Sequence, residues 1–112
     1  MRWHVDRGVL HVAGRTAGLR FPVAEVLDLD SGLVVRVDVL PGEHLNRNVY
    51  FVDPDGSIAW QIEESPHKTQ TDRPFMKIWR EPGSEIRAGN WNGVDYRVDL
   101  HSGAIEPAAF PK

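Results

Sequence analysis

Cysteine is absent from the chain. That excludes disulfides, thiolate nucleophiles and cysteine-ligated zinc or iron–sulfur sites. No apolar run approaches the length of a membrane span. Residues 1–20 carry Arg2, Asp6, Arg7, Arg15 and Arg20 where a signal peptide would need an apolar core. The expected location is therefore the cytoplasm, with no membrane partner. Positive charge is also scarce: 13 basic against 16 acidic residues give a net charge of −3, a poor basis for binding nucleic acid or anionic lipid. No glycine-rich phosphate loop is present, since Gly14 and Gly18 stand four apart with no Gly-Lys-Ser/Thr after them.

Long stretches free of glycine and proline are missing as well. The longest, Glu43 to Asp53, has eleven residues. A helix interior rarely accepts either residue, so no helix longer than about three turns fits.

What lies between these breakers reads as strand. Val94, Tyr96, Val98 and Leu100 alternate with polar residues, and Val35, Val37 and Val39 do the same. Period-two alternation rich in valine and tyrosine marks a half-buried strand. Val49–Val52 and Ile58–Ile62 alternate less and are expected to be more buried. Turns are assigned to Asp6-Arg7-Gly8, Asp28–Gly32, Asp53–Gly56, Glu81–Ser84, Asn90–Gly93 and Asp99–Gly103, where Asp, Asn, Pro and Gly supply the required backbone chemistry. At 112 residues, 41% of them apolar, the chain suits one β domain over 1–112. The fold class is all-β: an antiparallel meander of about nine or ten short strands forming a small barrel or sandwich. Its expected core is Val35, Val37, Val49, Phe51, Ile58, Trp60, Ile62, Ile78, Val94, Tyr96 and Val98.

Leu27–Gly32 reads like Val98–Gly103, and Val52–Gly56 is a shorter variant. Either an internal repeat or common hairpin-turn chemistry accounts for this. The run Asn48–Trp60, and with it Ala88–Asp99, resembles hairpins of quinoprotein-type β-propeller blades. A propeller needs at least four blades of about 40 residues, so the quinone cofactor does not carry over and no cofactor is expected. Residues 48–106 resemble small uncharacterised bacterial β-proteins, some of which are similar to immunity partners of polymorphic toxins.

The five histidines, His4, His11, His44, His67 and His101, show no His-x-His, His-x-x-x-His or His-Glu-x-x-His spacing, so no metal site has local support. His4 and His11 are expected to face outward on a first hairpin, and His67 and His101 to be solvated in loops. Asp53-x-Asp55-Gly56 lacks the later oxygen ligands of a calcium loop and reads as an Asx turn. Ser102 follows His101 directly, but adjacent residues point apart, and Glu63-Glu64 would face opposite ways on a strand. No catalytic set is recognised, so the chain is read as a non-enzyme.

Two features point elsewhere. Glu63 to Pro74 is a long polar connection bracketed by prolines, and Pro41–Arg47 is a second polar connection. Loops of that length are commonly functional. Of four tryptophans, Trp91 falls in a turn, and tryptophan and arginine are common interface hot spots. The expected function is a protein-binding domain, of the immunity-inhibitor type, that uses His44, Asn46, Arg47, His67, Lys68 and Trp91 on a partner such as a basic toxin domain. The alternative is a barrel that binds a small molecule or carbohydrate on tryptophan platforms at its mouth.

Overall fold

The computed structural model describes residues 2–66 and 72–108. The first three strands are β1 (Trp3–Asp6), β2 (Val9–Val12) and β3 (Arg15–Thr16). They form one antiparallel sheet in that order. Both connections are two-residue turns with positive φ at each position: Arg7 at 52° with Gly8 at 79°, and Ala13 at 52° with Gly14 at 78°. This is the type I′ pattern, whose twist matches that of the flanking strands. The second turn escapes the sequence reading because alanine carries no turn signal. It takes the strand number to eleven among the described residues, beyond the nine or ten expected.

The second sheet runs β4 (Val23–Leu29), β5 (Gly32–Val37), β6 (Val49–Val52) and β7 (Ile58–Gln61). The third contains β8 (Phe75–Arg80), β9 (Ile86–Asn90), β10 (Asp95–Val98) and β11 (Ile105–Pro107), with β8 and β11 at its edges. Among the described residues all pairings are antiparallel, and no sheet closes into a barrel. The arrangement is thus layered, and the tryptophans ring no barrel mouth.

The second sheet is the middle layer. From it Val34, Val49, Phe51, Trp60 and Ile62 pack against Phe75, Ile78, Ile86, Ala88, Tyr96 and Val98 of the third sheet. Its opposite face sends Leu33, Val35, Val37, Tyr50 and Val52 against Leu10, Val12, Ala17 and Phe21. Alternate residues of β5 and β6 therefore enter two separate cores, which is why Val49–Val52 reads as a continuous apolar run.

The expected core is found, with two differences. Val94 is only partly buried, packing at the margin of the first core. Ile58 is exposed. Residues 58, 60 and 62 would share a face in a regular strand, but the β6–β7 register runs Phe51↔Trp60 and then Val52↔Ile58. Ala59 is the extra residue of a bulge, so Ile58 turns to the side of Val52, on an edge strand that the first sheet leaves uncovered. The related turns 28–32 and 99–103 also differ, with Gly32 at φ 156° and Gly103 at φ 79°. They share chemistry rather than one backbone path.

Candidate functional site

Residues 73–75 enter β8 from the long polar connection, and every main-chain polar group there has a partner. Asn46 Oδ1 accepts the Arg73 N–H at 2.7 Å, and Asn90 Nδ2 donates to the Arg73 carbonyl at 2.8 Å. Trp91 N–H donates to the Pro74 carbonyl at 3.0 Å. Asn48 takes both groups of Phe75, accepting its N–H at 2.7 Å and donating to its carbonyl at 2.9 Å. A further bond from Asn48 Nδ2 reaches the Val37 carbonyl at 3.1 Å, so this one amide ties the end of β5 to the start of β8. Asn48 and Asn90 are both buried, and buried amides in such a pattern hold one backbone path.

The clamp gathers three chain segments predicted separately. His44 Nδ1 lies 2.6 Å from Asp72 Oδ1, linking the 41–47 connection to the end of the 63–74 connection. Asn46 Nδ2 also donates to Glu64 at 3.4 Å, and Glu64 pairs with Arg73. The turn bearing Trp91 is joined to both through Asn90, whose Oδ1 lies 3.4 Å from Ser65 Oγ. His44, Asn46 and Trp91 thus border one structure. His67 and Lys68 lie outside the described residues.

Arg47, also among the expected partner-binding residues, is exposed and bonded to the neighbouring backbone. Its Nε donates to the Ile62 carbonyl at 2.8 Å and its Nη2 to the Gln61 carbonyl at 3.1 Å, while Gln61 Nε2 donates back to the Arg47 carbonyl at 2.8 Å. The guanidinium is a clip between the 41–47 connection and β7.

Beside the clamp lies a cleft of about 210 Å³, lined by Val39, Pro74, Met76 and Trp91 together with Arg36 and Asp38. Met76 is 53% exposed and Trp91 54%. Met76 faces out because the β8–β9 register passes from Phe75↔Asn90 to Lys77↔Gly89, which makes Met76 a bulged residue. Bulges commonly re-aim a side chain in this way. Leu40, next to Val39, is exposed too. Sequence reading singled out Trp91 and Asn46 and missed Met76, Val39, Leu40, Asn48 and Asn90. A methionine one residue into a strand pattern gives no hint of its bulge, and Asn48 was legible only as a polar residue opening an apolar run.

Charge around this apolar patch is unequally displayed. The Arg36 and Arg73 side chains are 14% and 11% exposed. Arg36 Nε donates to Glu25 at 2.5 Å, and its Nη1 reaches Asp38 at 3.4 Å. The carboxylates face out, with Asp38 at 64% and Asp72 at 54%. Among the described residues, no group of three or more His, Asp or Glu side chains clusters as a metal site.

A family model, Domain of unknown function (DUF7957), matches residues 1–110. The chain belongs to that family. No curated protein and no solved structure matches it. For this DUF7957 chain the site must therefore speak through its own chemistry. It has a tryptophan and a methionine standing out from a backbone clamp, with carboxylates outward and arginines drawn in. Such a surface can bury apolar area against a partner at little ordering cost, because the backbone beneath is already fixed.

Proposed function

We propose that the protein is a non-enzymatic binding domain whose face around Trp91, Met76, Val39 and Leu40 docks on another protein. The observation that carries this reading is the pair Trp91 and Met76, each more than half exposed and both set beside buried asparagines that immobilise the chain at 73–75. Large apolar side chains held out by a rigid base are poor for solubility and good for binding. The titratable groups here support a non-catalytic role, being committed to one another: His44 with Asp72, Arg73 with Glu64, Arg36 with Glu25.

The outward carboxylates Asp38 and Asp72 favour a partner with a basic rim. An inhibitor of a basic toxin domain, the immunity-type role, is the specific form of this proposal. At this face a small-molecule or carbohydrate role has less support, since the cleft beside Trp91, at about 210 Å³, is below the roughly 300–1,000 Å³ of typical ligand pockets.

The test is affinity capture from the native host with the parent protein, Trp91→Ala and Ile58→Ala. The expected result is one stoichiometric protein, retained by Ile58→Ala and lost or weakened by roughly 30-fold or more in Trp91→Ala, as for a hot-spot side chain. Equal capture by Trp91→Ala overturns the site. Failure to capture a protein, with a small ligand raising the melting temperature instead, overturns the class.

A further inference from the structure

The β1–β2 hairpin brings together two side chains that are seven residues apart in sequence. The register sets His4 directly opposite His11. Their rings lie 4.7 Å apart, centroid to centroid, and only 12° from parallel. Trp3, Ala13, Gly14 and Arg2 complete the lining of an open cleft of about 570 Å³ at this pair. Thr16 Oγ1 lies 3.5 Å from His11 Nδ1.

We propose that His4 and His11 form a two-histidine site for a late first-row divalent ion, Cu²⁺, Ni²⁺ or Zn²⁺. Imidazole nitrogen suits these ions. Two bonds of about 2.0–2.1 Å at a tetrahedral angle need nitrogens roughly 3.3 Å apart and ring planes turned well away from parallel, so both imidazoles must rotate about their side-chain torsions to close the chelate. The short type I′ turn at Arg7–Gly8 fixes the strand pairing, so little ordering remains to be done on binding. Thr16 is placed to hold Nδ1 of His11 and leave Nε2 for the ion, as partners of metal-bound histidines commonly do. With no third His, Asp or Glu clustered there among the described residues, water fills the remaining positions. Among the described residues that line the cleft, Arg2 is the one Lys, Arg, Asp or Glu, and its repulsion weakens the site. The site belongs to a different sheet from the face around Trp91 and does not depend on the proposal made for that face.

The experiment is calorimetric titration of the full chain with Zn²⁺ alone, then Cu²⁺ alone. One ion per chain is expected, with Cu²⁺ tighter than Zn²⁺. His4→Ala and His11→Ala should each weaken Zn²⁺ binding roughly tenfold or more, Thr16→Val should weaken it less, and Arg2→Ala should strengthen it. His101→Ala, at an exposed histidine in the turn between β10 and β11, should change nothing. A second readout needs no variant: Zn²⁺ should shift the ring-nitrogen signals of His4 and His11 together in the imidazole ¹H–¹⁵N spectrum, and those of His44 and His101 should stay in place. Unchanged affinity in His4→Ala, equal loss in His101→Ala, or movement of signals other than the hairpin pair would overturn the assignment.

Discussion

Asn48 is buried, and both ends of its amide are used: Oδ1 for the Phe75 N–H, Nδ2 for the Phe75 and Val37 carbonyls. Asn48→Ala leaves that N–H and those carbonyls without their amide partner. At about 1–3 kcal/mol for each of these three stranded groups, the expected loss is about 3 kcal/mol or more, read by urea denaturation. Asn48→Asp keeps the acceptor, loses the donor and buries a charge, so it should do no better. A loss under about 0.5 kcal/mol, typical of surface substitutions, would show that the clamp is dispensable. Trp60 makes the apolar comparison. It stacks on Phe51 at 5.6 Å between centroids and donates from Nε1 to the Leu100 carbonyl at 2.8 Å. Trp60→Ala is expected to cost about 3–5 kcal/mol through the cavity left behind. At the opposite extreme of burial is Asp55, whose Oδ1 accepts from the Ser57 hydroxyl at 2.6 Å and the Ser57 N–H at 2.9 Å. The hydroxyl bond is the largest of the effects that hold this carboxyl below the usual carboxylate range, ahead of the Ser57 N–H and the Arg15 charge. Its folded value lies below its unfolded one, so the stabilisation is present above the ordinary carboxylate range and is lost as pH falls through the folded value. Ser57→Ala should move the Asp55 titration, followed by carbon NMR, back upward.

Among the elements, the connection from β10 to β11 depends on one glycine. Gly103 has φ 79°, and a Cβ there would come within 2.6 Å of the Trp60 ring. Gly103→Ala therefore meets both a strained backbone and a blocked space, and it should lower the melting temperature more than Gly93→Ala. Gly93 has φ 86° but open space around it. The comparison separates crowding from strain. This element level is also where sequence reading succeeded most. The Asp, Asn, Pro and Gly clusters at 28–32, 53–56, 81–84, 90–93 and 99–103 each connect strands as expected, because turn chemistry is local. Bulges are not local. Ala59 and Met76 are extra residues only with respect to their partner strands, so Ile58 was placed in the core and Met76 passed unnoticed. The same limit governed the sites. Trp91 was recognisable from its turn, whereas the meeting of His4 with His11, and of Asn46 with Arg73, needs a register and a chain crossing that spacing does not encode.

At the scale of the whole molecule, the middle sheet buries Leu33, Val35, Val37, Tyr50 and Val52 beneath a cover supplied by Leu10, Val12, Ala17 and Phe21. The buried part of that cover comes from the first 21 residues, with Val39 and Leu45 packing at its margin, and the first core, on the other face of the sheet, includes none of the four. Proteolysis or truncation ahead of β4 would leave the first core intact and strip its reverse side to water. Strands rich in valine with such a face uncovered are aggregation hazards. A chain beginning at Pro22 should thus retain strand circular dichroism yet self-associate at micromolar concentration, seen as a rising sedimentation coefficient, while the full chain does not. The N-terminal hairpins are in this sense a solubility cap built into the fold.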